Sequence, residues 1–298
     1  MTMPSIGLNI VPVPARLLVR YVQLAEELGF ESVWSGEHVC LPHNDQWWKI
    51  YPTVVAAEKA GKDIGPHLVP FNEDTNFLEP LAVLAHLAAV TKKVRLGIGI
   101  YLVMLRDAIL VGRSIATVDV LSGGRLDLGV GLGWTPDEYK FTNNEWESRG
   151  RKLDEMIRCL KTLFEVEHPE FHGEFFDFPP IGFQPKPIQK PLPIHIGGFG
   201  NAAVRRAAQL GDGWYGHVDL IPAVKEKLKE FGRENEPFKY GMVHPRATID
   251  RDELESLAAR GMERVVVTAW SDLDAVQDHG EDAPLRQLEA YAKRLGLA

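Results

Sequence analysis

The chain has 298 residues, of which 45% are hydrophobic and 25% charged, and its formal net charge is -8 at pH 7. This length suits one large α/β domain, and the negative charge disfavours nucleic acid and anionic membranes as partners. The two cysteines, Cys40 and Cys159, lack metal-ligand spacing, so neither a disulfide framework nor a zinc site is expected. A secretory signal pattern and long uncharged apolar runs are both missing, which predicts a cytoplasmic protein.

Short apolar runs alternate with helical patterns along the whole chain. Strands are expected at residues 5–10, 32–36, 94–100, 126–132, 194–196, 214–215, 240–243 and 265–268. Helices are expected at residues 18–28, 81–90, 107–121, 149–165, 201–210, 224–231, 252–260 and 285–295. Asp107 and Asn201 are suited to cap their helices, and Gly123 is placed to end one.

Eight strands, nearly all followed by a helix, favour a (β/α)₈ barrel spanning residues 1–298 as a single domain. A doubly wound open sheet is the alternative, but one that binds a dinucleotide would have G-x-G-x-x-G in its first turn, and here that turn contains prolines. Irregular insertions are expected at about residues 38–79 and 166–192. The sequence FHGEFFDF in the second insertion predicts a short hairpin.

Residues 40–77 lack clear periodicity and contain the aromatic residues Trp47, Trp48 and Tyr51. A connection of this length is usually functional or disordered, and its aromatic content argues against disorder. We therefore expect a partly ordered flap over a site. The alternative is a surface loop that packs on its own aromatic side chains.

The sequence LDLGVGLGWTPDE, which begins at Leu126, combines a buried strand, a glycine-rich turn and an acidic helix start. Gly129, Gly131 and Gly133 would share one face of a strand, against which a flat ligand or a closely packed element could lie. In a barrel this spacing is more typical of the core. The functional prediction then falls on Gly133, Trp134 and Asp137 at the open end.

The active face of such a barrel is formed by the C-terminal ends of its strands. The second strand leads into Glu37 and His38, whose acidic and imidazole groups suit proton transfer near neutral pH. Without such a role, His38 would be a satisfied interfacial histidine and Glu37 an ordinary loop acid. The third strand ends in Gly99, Ile100 and Tyr101.

The fifth strand leads into the sequence HIGGFGNAAVRRAA, which contains Gly197, Gly198, Phe199 and Asn201. Glycines at a helix start leave backbone N–H groups free to bind an anion, so a phosphate-bearing ligand fits there. A plain strand-to-helix turn capped by Asn201 is the alternative. Arg205 and Arg206 are expected to face solvent.

The chain contains no G-x-S-x-G, P-loop or H-E-x-x-H motif, which removes the commonest hydrolase and nucleotide-hydrolysing functions. The chemistry is therefore expected to belong to a cofactor. A bulky planar group against glycines, with an anion site at one end and an imidazole nearby, suits a flavin-like molecule.

The order of several motifs resembles the luciferase-like monooxygenase superfamily, over about residues 5–217. The motifs are SVWSGEH, VRLGIGI, GVGLGWTPDEY, ESRGRKLDEMI, FHGEFFDF, PKPIQKPLPIHIGG and GDGWYG. More narrowly, the chain is similar to actinobacterial oxidoreductases that use the deazaflavin coenzyme F420. The resemblance implies a (β/α)₈ barrel with an insertion before the fifth strand, usually as a homodimer.

The resemblance also implies roles for particular residues. Glu37 and His38 match the acidic and histidine positions beside the redox ring, and Gly99-Ile100 matches a pair joined by a non-prolyl cis peptide behind it. Gly197 and Gly198 match backbone contacts to the phosphate side of the cofactor.

One departure from the family pattern concerns Trp134 and Asp137. Several F420 dehydrogenases have an acid and an asparagine at these positions, so sugar-phosphate dehydrogenase activity is not expected here. The favoured function is hydride transfer between F420 and a small, apolar organic substrate, with His38 as the proton donor or acceptor and Glu37 orienting His38 or the ring. The alternatives are an FMN-dependent monooxygenase that uses molecular oxygen and a non-catalytic flavin-binding protein.

Overall fold

The computed structural model describes residues 2–11, 13–44, 46–65, 69, 71–72, 74–244, 249–269 and 282–297. Eight parallel strands close into a barrel in the order β1, β2, β3, β4, β7, β8, β9, β10 and back to β1. They are Ser5–Asn9 (β1), Ser32–Ser35 (β2), Arg95–Tyr101 (β3), Leu126–Val130 (β4), Ile194–Gly198 (β7), Gly213–Gly216 (β8), Lys239–Val243 (β9) and Arg264–Val267 (β10). The predicted (β/α)₈ barrel is confirmed.

Helices follow the strands and form the outer layer of the molecule. They are Leu18–Glu27 (α1), Pro52–Lys59 (α2), Pro80–Val90 (α3), Ala108–Ser122 (α4), Pro136–Phe141 (α5), Arg149–Glu165 (α6), Asn201–Leu210 (α7), Ile221–Glu230 (α8), Arg251–Ala259 (α9) and Ala283–Leu295 (α10). The predicted hairpin consists of the antiparallel strands Phe171–His172 (β5) and Asp177–Phe178 (β6). No helix within the described ranges is long and apolar enough to cross a membrane.

The helix boundaries agree with local sequence signals at α4 but not at α7. The Asp107 side chain accepts a hydrogen bond from the Leu110 backbone N–H at 2.9 Å, and Gly123 ends α4 in the left-handed conformation. At α7 the capping residue is Gly200, and Asn201 is the first helical residue. The prediction that Asn201 caps this helix is therefore wrong.

Two glycines of β3 face the barrel interior because aromatic rings fill the space beside them. Trp34 and Tyr215 stack inside the barrel with ring centroids 4.7 Å apart. A Cβ atom on Gly97 would lie 2.3 Å from the Trp34 ring, and one on Gly99 would lie 2.5 Å from the Tyr215 ring. Side chains larger than hydrogen at these two positions would displace the aromatic pair.

The glycines after Leu126 also make room for their neighbours inside the barrel. A Cβ atom on Gly129 would lie 2.4 Å from the Ile98 carbonyl oxygen, and one on Gly131 would lie 2.3 Å from the Ile100 side chain. Strand β4 ends before Gly131, and Gly133 has a φ of 68°, so it belongs to the turn into α5. The expectation that all three glycines share one strand face is wrong for Gly133, and core packing explains the other two.

A buried ion cluster closes the N-terminal end of the barrel around Asp127. Its carboxylate lies 2.7 Å from Arg95 Nε, 3.2 Å from Arg264 Nη1 and 3.4 Å from His195 Nε2. Burial alone would raise the pKa of Asp127, but the hydrogen bonds to His195 and Arg95 and the charge of Arg264 outweigh it and hold the pKa far below its ordinary value. The cluster lies at the start of β4, at the end of the barrel opposite the predicted site.

Arg206 does not face solvent as expected. It is buried on α7, where its guanidinium pairs with Asp154 of α6. Arg205 is exposed and donates a hydrogen bond to Gln209 one turn further along. Arg206 therefore links α7 to α6, whereas Arg205 lies in solvent.

Candidate active site

Glu37 and His38 leave β2 together but face different partners. The Glu37 side chain is only 3% exposed and pairs with the Arg106 guanidinium. Its Oε2 atom also accepts a hydrogen bond from the Leu102 backbone N–H at 2.9 Å. Both carboxylate oxygens of Glu37 are therefore bound to the segment that follows β3 and not to His38, while the alternative that Glu37 orients the cofactor ring stays a prediction.

Arg106 stays charged in this environment. Burial lowers the pKa of Arg106, but the charge of Glu37 and the hydrogen bond to it outweigh that effect and raise the pKa above its ordinary value. The guanidinium carbon also lies 4.3 Å from the centroid of the Tyr101 ring. The pair thus ties the end of β2 to the end of β3.

Tyr101 belongs to the same polar cluster. Its hydroxyl donates a hydrogen bond to Glu79 Oε1 at 2.9 Å, and its side chain is 2% exposed. Burial raises the pKa of Tyr101 well above its ordinary value, so the phenol keeps its proton. The Tyr101 side chain is therefore occupied by Glu79 and Arg106, and its role in cofactor binding stays a prediction.

His38 instead faces a carboxylate that the sequence-based prediction missed. The Nδ1 atom of His38 lies 3.4 Å from Oε2 of Glu138, whose side chain is fully buried. The other oxygen of Glu138 accepts a hydrogen bond from the Val39 backbone N–H at 2.7 Å. Glu138 therefore contacts two consecutive residues of the loop after β2.

The local sequence around Glu138 predicts a different partner for its carboxylate. Thr135 and Glu138 have the Thr-x-x-Glu spacing of a capping box, in which the glutamate would bind the helix's own N-terminus. Thr135 does cap α5, accepting a hydrogen bond from the Asp137 N–H at 3.3 Å. The Glu138 carboxylate turns away to the loop after β2, a contact that local spacing does not reveal.

Aromatic side chains surround the His38 imidazole. Its ring centroid lies 4.8 Å from that of Phe71, 5.1 Å from that of Phe77 and 5.3 Å from that of Trp134. The His38 side chain is 11% exposed. The imidazole therefore lies in largely apolar surroundings, with one carboxylate at its Nδ1 side.

Two more rings extend this layer, which we call the aromatic cover and which consists of Trp47, Tyr51, Phe71, Phe77 and Trp134. The Tyr51 ring centroid lies 5.2 Å from Trp134, and Trp47 stacks on Phe71 at 5.9 Å. Four of its rings come from the flap, residues 40–77, and contact Trp134 and His38 outside the flap. The described aromatic rings of the flap therefore lie over the strand ends at His38 and Trp134, as predicted, although Trp48 lies beside Lys49 instead.

Ile100 forms the floor beside these residues. The peptide bond between Gly99 and Ile100 is cis, as the resemblance implies. The Ile100 side chain lies close to the positions that Cβ atoms on Gly131 and Gly197 would occupy, at 2.3 Å and 2.4 Å. A Cβ atom on Gly36 would lie 3.7 Å from the Gly99 carbonyl oxygen, so the floor adjoins the segment that leads to His38.

The turn between β7 and α7 exposes backbone at the same end of the barrel. Gly198 has a φ of 152°, and the side chain of Phe199 is 76% exposed. Gly200 precedes α7 without a side-chain cap, which leaves backbone N–H groups of the first turn available. Asn201 is exposed at the start of the helix.

The remaining predicted residues lie near the start of α5. Trp134 is half-buried in the aromatic cover, and Asp137 lies half-buried in the first helical turn. Gly133 gives the chain the left-handed turn that brings Glu138 toward His38. Within the described ranges, no group of three or more histidine, cysteine or acidic side chains could hold a metal ion.

Comparison with known sequences gives a family match over nearly the whole chain. A family model described as luciferase-like monooxygenase matches residues 5–295. An uncharacterized protein of Mycobacterium tuberculosis is 30% identical over 286 residues, covering 91% of each chain.

Two further relatives are described by their cofactors. An F420-dependent glucose-6-phosphate dehydrogenase of Amycolatopsis mediterranei is 28% identical over 224 residues, which cover 71% of this chain and 59% of that protein. An FMNH(2)-dependent dimethylsulfone monooxygenase of Pseudomonas putida is 30% identical over 125 residues, which cover 41% of this chain and 34% of the relative.

Solved structures agree with the barrel fold. A monooxygenase from Streptomyces bottropensis superposes with a TM-score of 0.74 at 18% identity, covering 98% of both chains. An F420-dependent secondary alcohol dehydrogenase superposes with a TM-score of 0.74 at 15% identity, covering 100% of this chain and 99% of that one.

Proposed function

Because the chain belongs to the luciferase-like monooxygenase family, we propose that it is an oxidoreductase that uses coenzyme F420 and acts on a small, apolar organic substrate. Members of this family are F420- or flavin-dependent oxidoreductases and monooxygenases, so the chain is an enzyme of this kind that acts on a small molecule. The observation that carries the proposal is the enclosure of His38 by apolar rings beside the Gly99-Ile100 floor.

The residues present fit a flavin-like group. A flat ring system needs a smooth apolar backing, and Ile100, seated on Gly131 and Gly197, offers one. The phosphate-bearing side chain of such a cofactor needs backbone donors, and the turn containing Gly197, Gly198, Phe199 and Asn201 leaves them available. When bound, F420 supplies two-electron hydride chemistry.

The chain's own residues would support that chemistry in separate ways. His38 would hold or release a proton at its imidazole, a group suited to general acid–base catalysis. The aromatic cover would exclude water and select apolar substrates. Glu37 and Arg106 would fix the relative position of the loops after β2 and β3. Asp137, at the start of α5, stays a predicted cofactor contact.

Two features support F420 and a substrate other than a sugar phosphate. The relative from Amycolatopsis and the secondary alcohol dehydrogenase are both described as F420-dependent. In this chain, however, Trp134 occupies the strand end where an acid accompanies sugar-phosphate activity, and its ring faces other aromatic side chains. An apolar alcohol, carbonyl compound or alkene is therefore the substrate class that we propose.

A second candidate function is an FMN-dependent monooxygenase. It is favoured by the relative from Pseudomonas, which is described as FMNH(2)-dependent, and by the monooxygenase from Streptomyces. The homodimer and the cytoplasmic location stay predictions from the sequence, as does the single domain spanning residues 1–298.

Titration of the purified protein with F420 and with FMN tests the choice of cofactor. Trp47 and Trp134 lie in the aromatic cover, so binding at this site should quench tryptophan fluorescence. We expect saturable quenching by F420 at lower concentration than by FMN. Tighter binding of FMN would favour the monooxygenase, and tight binding of F420 without turnover of any donor or acceptor would support a non-catalytic binding protein.

A further inference from the structure

We propose that Glu138 is a positioning residue that decides which ring nitrogen of His38 carries the proton. The inference deepens the proposed function, on which it rests for the use of His38 in proton transfer. The position of the proton can be measured without cofactor or substrate.

The first observation is that one oxygen of Glu138 is already engaged. The Val39 N–H donates to Oε1 at 2.7 Å, which fixes the rotation of the carboxylate. Oε2 then points at His38 Nδ1, 3.4 Å away. Both atoms are buried, and neither forms a hydrogen bond with any described residue in its present orientation. A buried polar atom that stays unpaired is costly, so we infer that these two adjacent atoms are each other's partners.

The chemistry of the carboxylate determines the tautomer. An ionised carboxylate only accepts hydrogen bonds, so a hydrogen bond between these atoms requires the proton on Nδ1. Turning the imidazole over would place a carbon against the carboxylate and leave its charge without a donor. A neutral His38 therefore keeps the proton on Nδ1 and has its lone pair on Nε2.

The second observation concerns the other nitrogen. Nε2 of His38 forms no hydrogen bond with any residue that the structure describes, and the imidazole is enclosed by Phe71, Phe77 and Trp134. Nε2 is thus the nitrogen that can exchange a proton with a ligand. When it gains a proton, the carboxylate of Glu138 stabilises the resulting imidazolium.

Glu138→Gln tests the proposal because the Val39 N–H fixes the orientation of the new amide group. The Val39 N–H still needs an acceptor, so the amide oxygen of the glutamine takes the place of Oε1, and the NH₂ group then faces His38 Nδ1. An NH₂ group donates only, so the neutral imidazole must move its proton to Nε2. The substitution keeps the side-chain shape and reverses the tautomer.

The measurement uses protein labelled with ¹⁵N at its ten histidines. The His38 signals are assigned by their absence in His38→Gln, and proton–nitrogen correlations are recorded above the ordinary titration range of histidine. We expect the Nδ1-protonated form in the wild type and the Nε2-protonated form in Glu138→Gln. An Nε2 proton in the wild type, or an unchanged tautomer in the variant, would overturn the proposal.

Glu155→Gln is the matched control. Glu155 is also a buried acid, 7% exposed, and its carboxylate accepts backbone hydrogen bonds from Glu174, Phe175 and Phe176 beside the β5–β6 hairpin. Its substitution removes a buried charge that is bound to residues 174–176 instead of to the loop after β2, so it should leave the His38 tautomer as in the wild type. A tautomer change in this control would contradict a specific role for Glu138.

Turnover separates this proposal from the proposed function. Where the tautomer reverses, kcat with F420 should fall about 100-fold or more while KM changes little. A reversed tautomer with unchanged kcat supports the positioning by Glu138 but removes His38 from proton transfer. If Glu138→Gln fails to fold, the wild-type spectrum still decides whether the proton is on Nδ1.

Discussion

The Nδ1 atom of His38 lies 3.4 Å from Oε2 of Glu138, although the helices α2, α3 and α4 and the strands β3 and β4 separate the two residues along the chain. The closed barrel brings them together because β2 and β4 both flank β3, and all three strands end at the same face. An imidazole paired with a carboxylate and enclosed by aromatic rings is suited to move protons while bulk water is excluded. The predictions below test this arrangement and the barrel that holds it.

His38→Ala should lower kcat by about 100-fold while the affinity for F420 changes little, because the substitution removes a proton-transfer group and leaves the Ile100 floor intact. Steady-state kinetics and the fluorescence titration measure the two quantities. His172→Ala is the control, since His172 lies in the hairpin with a side chain 65% exposed. Unchanged turnover in His38→Ala would remove His38 from the mechanism.

Arg106→Met should destabilise the protein by about 3 kcal/mol, because it leaves the Glu37 carboxylate buried without its partner. Urea unfolding measures the loss. Arg151→Met is the matched control, since Arg151 pairs with Glu174 at 3.0 Å but both side chains are more than half exposed. The control should lose less than about 1 kcal/mol. Equal losses of unfolding free energy in the two variants would show that the buried Glu37–Arg106 pair stabilises the protein no more than an exposed pair does.

Asp127→Asn should destabilise the protein most at neutral pH. The folded-state pKa of Asp127 is depressed, so its contribution is complete above the unfolded-state pKa of about 3.9 and is lost as the pH falls toward the folded-state pKa. The difference in unfolding free energy between wild type and variant should therefore be about 1 kcal/mol smaller at pH 3 than at pH 7. Urea unfolding at both pH values checks this, and a difference that grows in acid would contradict the ion cluster.

Gly97→Ala should destabilise the barrel by about 1–3 kcal/mol, because the new methyl group would lie 2.3 Å from the Trp34 ring inside a closed barrel. Thermal unfolding followed by near-ultraviolet circular dichroism reports both stability and the Trp34–Tyr215 packing. Gly182→Ala is the control, since nothing lies within 4 Å of the position that its Cβ would occupy. Equal melting temperatures for Gly97→Ala and the wild type would mean that the aromatic pair has room to move.

The barrel could be predicted because its signals are local. Apolar runs of strand length, helical periodicity and stop signals such as Gly123 each depend on neighbouring residues, and together they give the correct order of elements. The spacing of Gly129 and Gly131 indicates core packing for the same reason. Gly133 departs from that pattern because a turn rather than a strand determines its conformation.

The site was only partly predictable because its contacts are not local. The positions of His38 and Trp134 follow from the rule that strand ends form the active face. The exchange of partners, in which Glu37 pairs with Arg106 and Glu138 with His38, depends on how three loops meet. The composition of the flap predicted a cover, but which of its rings would contact His38 depended on the folded path of the chain.

Anaerobic single-turnover experiments with reduced F420 test the central claim most directly. The protein is mixed with reduced F420 and a panel of apolar carbonyl compounds and alkenes, and cofactor oxidation is followed by absorbance. We predict that F420 is reoxidised without oxygen, with one acceptor molecule reduced for each cofactor. Turnover that requires reduced FMN and molecular oxygen, with an oxygen atom from O₂ in the product, would contradict the account.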